Sequence, residues 1–317
     1  ESDLVRLHGQ GYISSLDDGV QTVMASFNSW HGDKMHGNHY LLTTVLKERL
    51  GFDGLVVGDW NGHGQLPGCT NTSCAAAINA GVDILMAPED GKALYTNTLA
   101  QAKAGEISAA RLDDAVSRIL RVKIRAGLFE KGNPAQSELA GKAELIGHAD
   151  HQSIAAQAVR ESLVLLKNNA QLLPLAPKQK VLVTGDGADN IGKQSGGWTL
   201  TWQGTGNVNA DFPNGRSIYS GIQQQVEAAQ GTVELSADGS YQQKPDVAIV
   251  VIGENPYAEF DGDIRTLDYQ AGKNTDLELL KKLKADGIPV VTVFLTGRPL
   301  WVNPELNQSD AFVAAWL

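Results

Sequence analysis

Short apolar runs alternate with amphipathic stretches along the first part of the chain. The apolar runs lie at 22–27, 54–60 and 82–88, about one β/α repeat of roughly 30 residues apart. Between the first two, segment 41–50 places its apolar side chains on one helical stripe. Strands that are apolar on both faces and alternate with helices predict parallel β/α architecture.

The same alternation continues to residue 127. Segment 108–127 predicts a helix that begins at the cap residue Ser108 and ends at Gly127. Three β/α units cannot close a barrel of eight, and alone they leave open sheet edges. Residues 1–127 therefore predict either part of a larger barrel or a small open sheet. Because both chain ends fall within a pattern, we expect the chain to be a segment of a longer protein.

A second α/β region is predicted after a change of composition. Residues 128–157 are polar and rich in small side chains, and they predict a linker, with a helix running on through "ESLVLLKN" (161–168). Four strand-like apolar runs follow, at 180–185, 246–253, 290–297 and 311–317. Residues 158–317 therefore predict a second α/β domain, which is incomplete if the chain is a segment.

Composition and charge narrow the classes of partner. The content is 42% hydrophobic and 20% charged, as in ordinary soluble domains, and the net charge is −10. The sequence has no apolar stretch of about 18 residues, so it predicts no membrane-spanning helix. Nucleic acid is not expected as a partner, because phosphate binding needs a basic surface. A neutral or polar substrate is compatible with this charge.

Two cysteines, Cys69 and Cys74, lie in the polar segment "GCTNTSC". They can close a small disulfide loop or remain free thiols, and the spacing alone leaves both alternatives open. A zinc site is not predicted, because no second pair of ligands accompanies them. A disulfide would favour an oxidising compartment.

Carboxylates follow two of the predicted strands. Asp59 comes at the end of the run "GLVVGDW", and the segment "GENPYAEFDGD" (253–263) contains Glu254 and Glu259. Ligands of parallel β/α folds gather at the carboxyl ends of strands. Glycoside hydrolysis needs two carboxylates, one to attack or stabilise the sugar cation and one to protonate the leaving oxygen. A loop acid at a helix N-terminus is the alternative for Asp59, and an exposed acidic turn is the alternative for 253–263.

Tryptophans accompany these carboxylates. Trp60 is adjacent to Asp59, while Trp198 and Trp202 lie in the glycine-rich segment "SGGWTLTWQGTG" (195–206). Flat apolar rings suit the C–H faces of a pyranose, although two core tryptophans would also explain the second segment.

Two further motifs give weaker signals. "GADNIGKQ" (187–194) nearly spells a phosphate-binding loop, but Gln194 replaces the required Ser or Thr, so nucleotide binding is not expected. The histidines of "HGDKMHGNH" (31–39) lack metal-binding spacing, and we expect them to be solvated or hydrogen-bonded.

Several motifs, in the same order, resemble glycoside hydrolase family 3. "VLKERLGFDGLVVGDWNG" (45–62) resembles the nucleophile signature of that family, and "ESLVLLKNNAQLLPL" (161–175) is similar to its entry into the second domain. "GWTLTWQG" (197–204) and "GENPYAEFDGD" (253–263) resemble motifs of its exo-acting β-glucan glucohydrolase branch. The resemblance spans essentially the whole chain.

The resemblance implies roles for particular residues. Asp59 falls on the nucleophile and Glu259, rather than Glu254, on the acid/base. Trp60 and Trp202 match two rings that sandwich a glucosyl unit, and Trp198 matches another wall residue. Met24 resembles a residue lining the same pocket.

The resemblance also implies the architecture and the activity. The expected fold class is α/β, with the C-terminal portion of a (β/α)8 TIM barrel (1–127), a linker (128–157) and an α/β sandwich domain (158–317). The expected activity is retaining exo-hydrolysis that releases glucose from the non-reducing end of β-1,3/1,4-glucans and oligosaccharides. The site would lie where the two domains meet, with Asp59 ionised and the pKa of Glu259 raised.

Expectations about partners and alternatives follow from the same resemblance. No cofactor, metal or membrane is expected, and the remainder of the same polypeptide should complete the barrel. A periplasmic or secreted location is inferred from the polymeric substrate. The alternatives are a β-N-acetylglucosaminidase or a phosphorylase of the same family, or a non-catalytic carbohydrate-binding protein.

The sequence departs from the family pattern at two points. Gly58 stands where the signature usually has Ser or Thr, and an arginine common after the nucleophile is absent from "NGHGQLPGC" (61–69). The residues that grip the glucose hydroxyls in the family have no counterpart and would lie before Glu1.

Overall fold

The computed structural model describes residues 1–316, and the chain divides into two compact units. The first unit is Glu1–Gly141 and the second begins at Lys142. The division falls inside the segment 128–157 that the sequence predicts as a linker; the domain bounds 1–127 and 158–317 stay predictions.

The first unit contains short strands and longer helices. Its strands are β1 (Thr22–Met24), β2 (Ser29–Trp30), β3 (Asp33–Lys34) and β4 (Leu55–Val57). Its α-helices are α1 (Gln10–Asp17), α2 (Ala75–Ala80), α3 (Gly91–Lys103) and α4 (Ala109–Arg125), and π-helical segments cover Leu4–Gly9 and Tyr40–Arg49. Short 3-10 turns cover Met35–Gly37, Gly62–Gln65 and Pro134–Gln136.

The predicted apolar runs lie side by side as parallel strands. β1 pairs in parallel with β4, with Val23 opposite Val56, and Val57 forms a parallel bridge to Ile84 of the third run. A core of buried apolar residues lies under them, including Leu42, Phe52, Val56, Ala77 and Val82.

Asp83 ties this third run to its neighbours. Its Oδ2 accepts the backbone N–H of Val56 at 2.8 Å, and its Oδ1 lies 2.8 Å from the Nζ of Lys47 and also accepts from Arg111. Burial is the largest influence on Lys47 and lowers its pKa. Asp83 therefore holds strands together and has no free carboxylate for chemistry.

Two other local predictions are tested in this unit. The helix after Ser108 is confirmed as α4, whose N-cap Ser108 accepts the N–H of Arg111 at 3.2 Å. Cys69 and Cys74 form a disulfide with their Cα atoms 4.8 Å apart, which resolves the alternative that the sequence left open.

The second unit is built on a six-stranded sheet. Its strands are β5 (Val164–Asn168), β6 (Lys180–Thr184), β7 (Thr232–Ser236), β8 (Val247–Gly253), β9 (Val290–Thr296) and β10 (Ala311–Trp316). Its α-helices are α5 (Ala149–Ser162), α6 (Ile191–Ser195), α7 (Ile218–Ala228), α8 (Thr275–Ala285) and α9 (Asn303–Gln308), and short 3-10 turns cover Ala143–Leu145, Asn169–Gln171 and Asn209–Asp211. The strand order is β5-β10-β9-β8-β6-β7, parallel throughout except for β5 against β10.

Helices cover both faces of this sheet. Val183, Ile249 and Val251 belong to a cluster on one face, and Leu182 and Val250 belong to a cluster on the other. All seven residues of β8 are buried, as expected for a central parallel strand. The β8 strand therefore carries the loop that follows it on a rigid support.

The predicted continuation of the helix through "ESLVLLKN" is wrong. Helix α5 ends at Ser162, and the following residues form the edge strand β5, in which Leu165 pairs with Val313. The backbone groups of this segment can be hydrogen-bonded either in a helix or in an antiparallel ladder with β10. The local sequence therefore does not decide between helix and strand.

Within residues 1–316, none of the helices is both long and apolar enough to cross a bilayer.

Candidate active site

The turn after β4 presents Asp59. The N–H of Gly58 donates to the carbonyl of Ile84 at 2.8 Å, and the N–H of Asn61 donates to the carbonyl of Met86 at 3.0 Å. Asn61 adopts a left-handed backbone conformation with φ 52°. Both ends of the turn are thus fixed to the neighbouring run, and Asp59 lies between the two anchors.

Hydrogen bonds orient the Asp59 carboxylate and backbone. The N–H of Trp60 donates to Oδ1 of Asp59 at 2.7 Å, and the N–H of Asp59 itself donates to Nε2 of His36 at 2.8 Å. No residue within the described range 1–316 donates to Oδ2, so one carboxylate oxygen remains available for attack on a substrate.

Trp60 and Met24 accompany Asp59 at this end of the parallel strands. Met24 is the last residue of β1 and pairs with Val57, two residues before Asp59. Met24 is 49% exposed and Trp60 is 56% exposed, so neither side chain is used in the core. The expectation that Trp60 stacks on a glucosyl unit and that Met24 lines the same pocket is compatible with this register and stays a prediction.

The loop after β8 carries two glutamates in different surroundings. Glu254 accepts from Thr296 at 2.7 Å and from Nε of Arg298 at 2.9 Å. The Arg298 guanidinium also lies 4.1 Å from the ring centre of Tyr257. Glu254 is therefore a structural ion-pair partner, whereas Glu259 is exposed.

Two tryptophans hold Glu259. Its Oε2 accepts from Nε1 of Trp198 at 2.9 Å and from Nε1 of Trp202 at 2.8 Å. Gln203 joins the same two loops, because its Nε2 donates to the Glu259 carbonyl and its Oε1 accepts the N–H of Ala258 at 2.7 Å. The carboxylate is thereby fixed beside two exposed aromatic rings.

The backbone around these rings is strained. Trp198 has φ 58° and Phe260 has φ 72°, a region that side chains other than glycine rarely adopt. A Cβ on Gly197 would lie 1.9 Å from the carbonyl of Tyr257, so only glycine permits the two loops to approach this closely. Such strain is typical of functional sites.

The expectation of a raised pKa for Glu259 is wrong for this arrangement. Hydrogen bonds from Trp202 and Trp198 lower the pKa of Glu259, and the side chain is exposed, so burial does not offset them. N–H groups that donate to a carboxylate favour its charged form.

The weaker motifs find structural roles. Nζ of Lys193, in the near phosphate-binding segment, is 2.7 Å from Asp186 and buried, so it does not face an open loop. His36 is buried and hydrogen-bonded, as expected. Among residues 1–316, no three His, Cys, Asp or Glu side chains cluster closely enough to hold a metal ion.

Sequence reasoning missed three residues that support this chemistry. His36 bonds the Asp59 backbone, Gln203 joins the two loops of the second unit, and Arg298 anchors Glu254. Each acts through a contact between segments distant in sequence. His36 and Gln203 had a signal in the sequence, through their places in the cluster 31–39 and in the segment 195–206.

Comparison with known proteins assigns both units. Residues 1–122 match the Glycosyl hydrolase family 3 N terminal domain, and residues 163–317 match the Glycosyl hydrolase family 3 C-terminal domain. A Lysosomal beta glucosidase of Dictyostelium discoideum is 33% identical over 93% of this chain and 38% of its own length. A Periplasmic beta-glucosidase of Salmonella typhimurium is 30% identical over 96% of this chain and 43% of its own length.

Solved structures agree with this assignment. The exo-1,3/1,4-beta-glucanase (EXOP) of a Pseudoalteromonas species is 56% identical over all of this chain and 40% of its own, with a TM-score of 0.97. A mutant beta-glucosidase of Listeria innocua, in complex with laminaribiose, is 25% identical over 96% of this chain and 42% of its own, with a TM-score of 0.79.

The relatives match nearly all of this chain, but this chain matches less than half of each relative. The chain spans 38% and 43% of the length of the two curated relatives, although they match nearly all of it. The predicted fold class, the C-terminal portion of a (β/α)8 barrel followed by an α/β sandwich domain, is confirmed. Because the N-terminal and C-terminal domains both match, in order, and together cover most of its residues, the chain belongs to glycoside hydrolase family 3.

Proposed function

We propose that this chain belongs to a retaining, exo-acting glycoside hydrolase that releases glucose from the non-reducing end of β-1,3/1,4-glucans and oligosaccharides. The observation that carries the proposal is the pair of presented carboxylates. Asp59 has one oxygen fixed and one free at the end of β4, and Glu259 is held between two exposed tryptophans. The names of the relatives support the substrate class.

In the proposed reaction, both carboxylates act on one glycosidic bond. Oδ2 of Asp59 attacks the anomeric carbon while Glu259 protonates the departing oxygen, which leaves a glucosyl ester on Asp59. Glu259 then removes a proton from water, which attacks the same carbon and releases glucose with the original β configuration. This requires carboxyl groups about 5–5.5 Å apart in the working enzyme.

The tryptophans fit a substrate made of pyranose rings. Trp202 is 47% exposed, Trp198 is 67% exposed, and their ring centres are 6.1 Å apart. Aromatic faces contact sugar rings without reading the direction of the linkage. We therefore expect activity on both 1,3 and 1,4 linkages.

The proposed location is periplasmic or secreted. The disulfide between Cys69 and Cys74 supports an oxidising compartment, and the Salmonella relative is named a periplasmic enzyme. A polymeric glucan substrate is compatible with the same location.

Hydrolysis by the full-length protein tests the proposal. The substrate is an aryl β-glucoside or laminaribiose, with and without phosphate, and proton NMR identifies the first sugar released. β-Glucose supports the proposal, whereas α-glucose contradicts retention. Glucose 1-phosphate would identify the phosphorylase alternative, and the absence of turnover would favour a carbohydrate-binding role.

Replacing Trp202 with alanine should lower the activity on long substrates more than the activity on short ones. We expect Trp202→Ala to lower kcat/KM for laminari-oligosaccharides by about 5-fold, since loss of an aromatic contact costs about 1 kcal/mol. Aryl glucosides, which lack a second sugar, should lose less. Trp202→Phe is the matched control that keeps an aromatic face. Equal losses on both substrates would contradict a sugar-stacking role.

Replacing Trp202 with phenylalanine should change the pH dependence of the reaction. Trp202→Phe removes the largest influence that lowers the pKa of Glu259, so this pKa should rise. The catalytic acid then keeps its proton to higher pH, and the alkaline limb of kcat/KM for a disaccharide should move to higher pH. Trp301→Phe, at an exposed tryptophan that makes no hydrogen bond to Glu259, should leave the limb in place. An unchanged limb in Trp202→Phe would show that Glu259 is not the titrating acid.

A further inference from the structure

The ring of His36 is packed against the turn that carries Asp59. His36 is 2% exposed and lies in the 3-10 turn Met35–Gly37. A Cβ on Gly62 would lie 2.3 Å from Cε1 and Nε2 of this ring, and a Cβ on Gly58 would lie 3.4 Å from Cδ2. Gly62 therefore lets the imidazole approach the backbone, whereas a side chain at position 58 would only touch the ring.

The hydrogen bond fixes the state of this ring. A backbone N–H can only donate, so Nε2 of His36 must accept from Asp59 and carry no proton. The neutral ring is then protonated at Nδ1. A doubly protonated ring would place one N–H against another and lose the bond.

The groups around His36 favour the neutral ring. Burial is the largest influence and lowers the pKa of His36, and the positive charge of Lys34 and the neighbouring His63 lower it further. Only the charge of Asp59 raises it. The other close neighbour, Phe27, has a ring centre 6.2 Å away and carries no charge.

We propose that His36 is a positioning residue for the nucleophile, which holds the Asp59 backbone through Nε2 so that the free carboxylate oxygen is aimed at the anomeric carbon. The inference rests on the proposed function and extends it to a residue that does not touch substrate. The bond connects the Met35–Gly37 turn to the end of β4, and the N–H of Trp60 completes the orientation at Oδ1. The strand itself is held by its pairing with β1, which does not involve this bond.

The attack step can be measured separately from the rest of turnover. 2-Deoxy-2-fluoro-β-glucosyl fluoride has a good leaving group and should form a slowly hydrolysed ester with Asp59, which intact mass and peptide mapping detect. His36→Leu removes the acceptor and fills the buried position with an apolar side chain. His36→Gln restores an acceptor near the position of Nε2. His39→Leu, at an exposed histidine of the same segment, is the matched control.

We expect His36→Leu in the full-length protein to label about 100-fold more slowly, as for an attacking group displaced by about 1 Å. His36→Gln and His39→Leu should label at rates close to the native protein. In His36→Gln the fall in labelling rate toward acid pH should also be less steep, because the ring that loses its acceptor on protonation is gone. A side chain with only a packing role would not change this slope.

The outcomes separate this inference from the proposed function. If the native protein is labelled at Asp59 and His36→Leu labels at the same rate, positioning by His36 is wrong while the function stands. If the native protein is not labelled at Asp59, the nucleophile assignment fails and the inference fails with it. If His36→Leu does not fold, His36→Met, which also removes the nitrogen acceptor, takes its place, and labelling at the native rate by His36→Met overturns the inference.

Discussion

Asp59→Ala in the full-length protein should lower kcat for β-glucosides by about 10⁶-fold, as loss of a nucleophile does in another covalent enzyme. The structure supplies the reason, because Asp59 has an oxygen to which none of residues 1–316 donates, on a turn anchored to Ile84 and Met86. Sugar binding should persist, since Trp60 remains, and calorimetry with a slow substrate can measure it. Asp33→Ala, at an exposed aspartate of the same unit, should keep native turnover.

Rescue of Asp59→Ala by azide gives a second test of the nucleophile assignment. The small anion can enter the space left by the missing carboxylate and attack from the same side, which inverts the anomeric carbon once. Asp59→Ala with azide should therefore form α-glucosyl azide from a β-glucoside with a good leaving group. Turnover at native rate by a pure preparation, or formation of the β-azide, would show that Asp59 is not the nucleophile.

The regular elements follow from the sequence where burial is uniform. β8 is apolar at nearly every position and buried throughout, and the predicted run 246–253 coincides with it. β5 and β7 were missed for opposite reasons. β5 follows a helix without a breaking residue, whereas β7 reads "TVELS", an edge strand in which only Val233 and Leu235 are apolar and Leu235 is exposed. Edge strands depend on their partner, which a local pattern does not show.

The sequence predicts the residue types of the candidate site but not their electrostatic state. Asp59 and Glu259 stand at strand ends, where parallel folds place ligands, and the family resemblance selected Glu259 over Glu254. The ion pair of Glu254 with Arg298 agrees with that selection. The pKa of Glu259 was expected to be raised because the mechanism needs an acid. Its direction depends on indole N–H groups from residues 57 and 61 positions away, which spacing cannot reveal.

Glu259→Ala should lower kcat/KM more for substrates with a poor leaving group than for substrates with a good one. General acid catalysis contributes about 10²- to 10⁴-fold, so kcat/KM for laminaribiose, whose alkoxide departs poorly, should fall by about that factor. A dinitrophenyl β-glucoside needs little protonation, and its kcat/KM should fall much less. Asp261→Ala is the matched control, because it is an exposed acid of the same loop. Leaving-group dependence in Glu254→Gln instead would assign the acid to Glu254.

The same variant also reports the second half of the reaction. Without Glu259 nothing activates water, so the glucosyl ester on Asp59 should accumulate with the dinitrophenyl substrate and appear as a burst of dinitrophenol. Azide needs no base and attacks the ester on the face the aglycone left, so it should yield β-glucosyl azide, opposite to the product of Asp59→Ala. Opposite azide anomers from the two variants require the carboxylates to act on opposite faces of one sugar ring. The same anomer from both would contradict their assignment as nucleophile and acid/base.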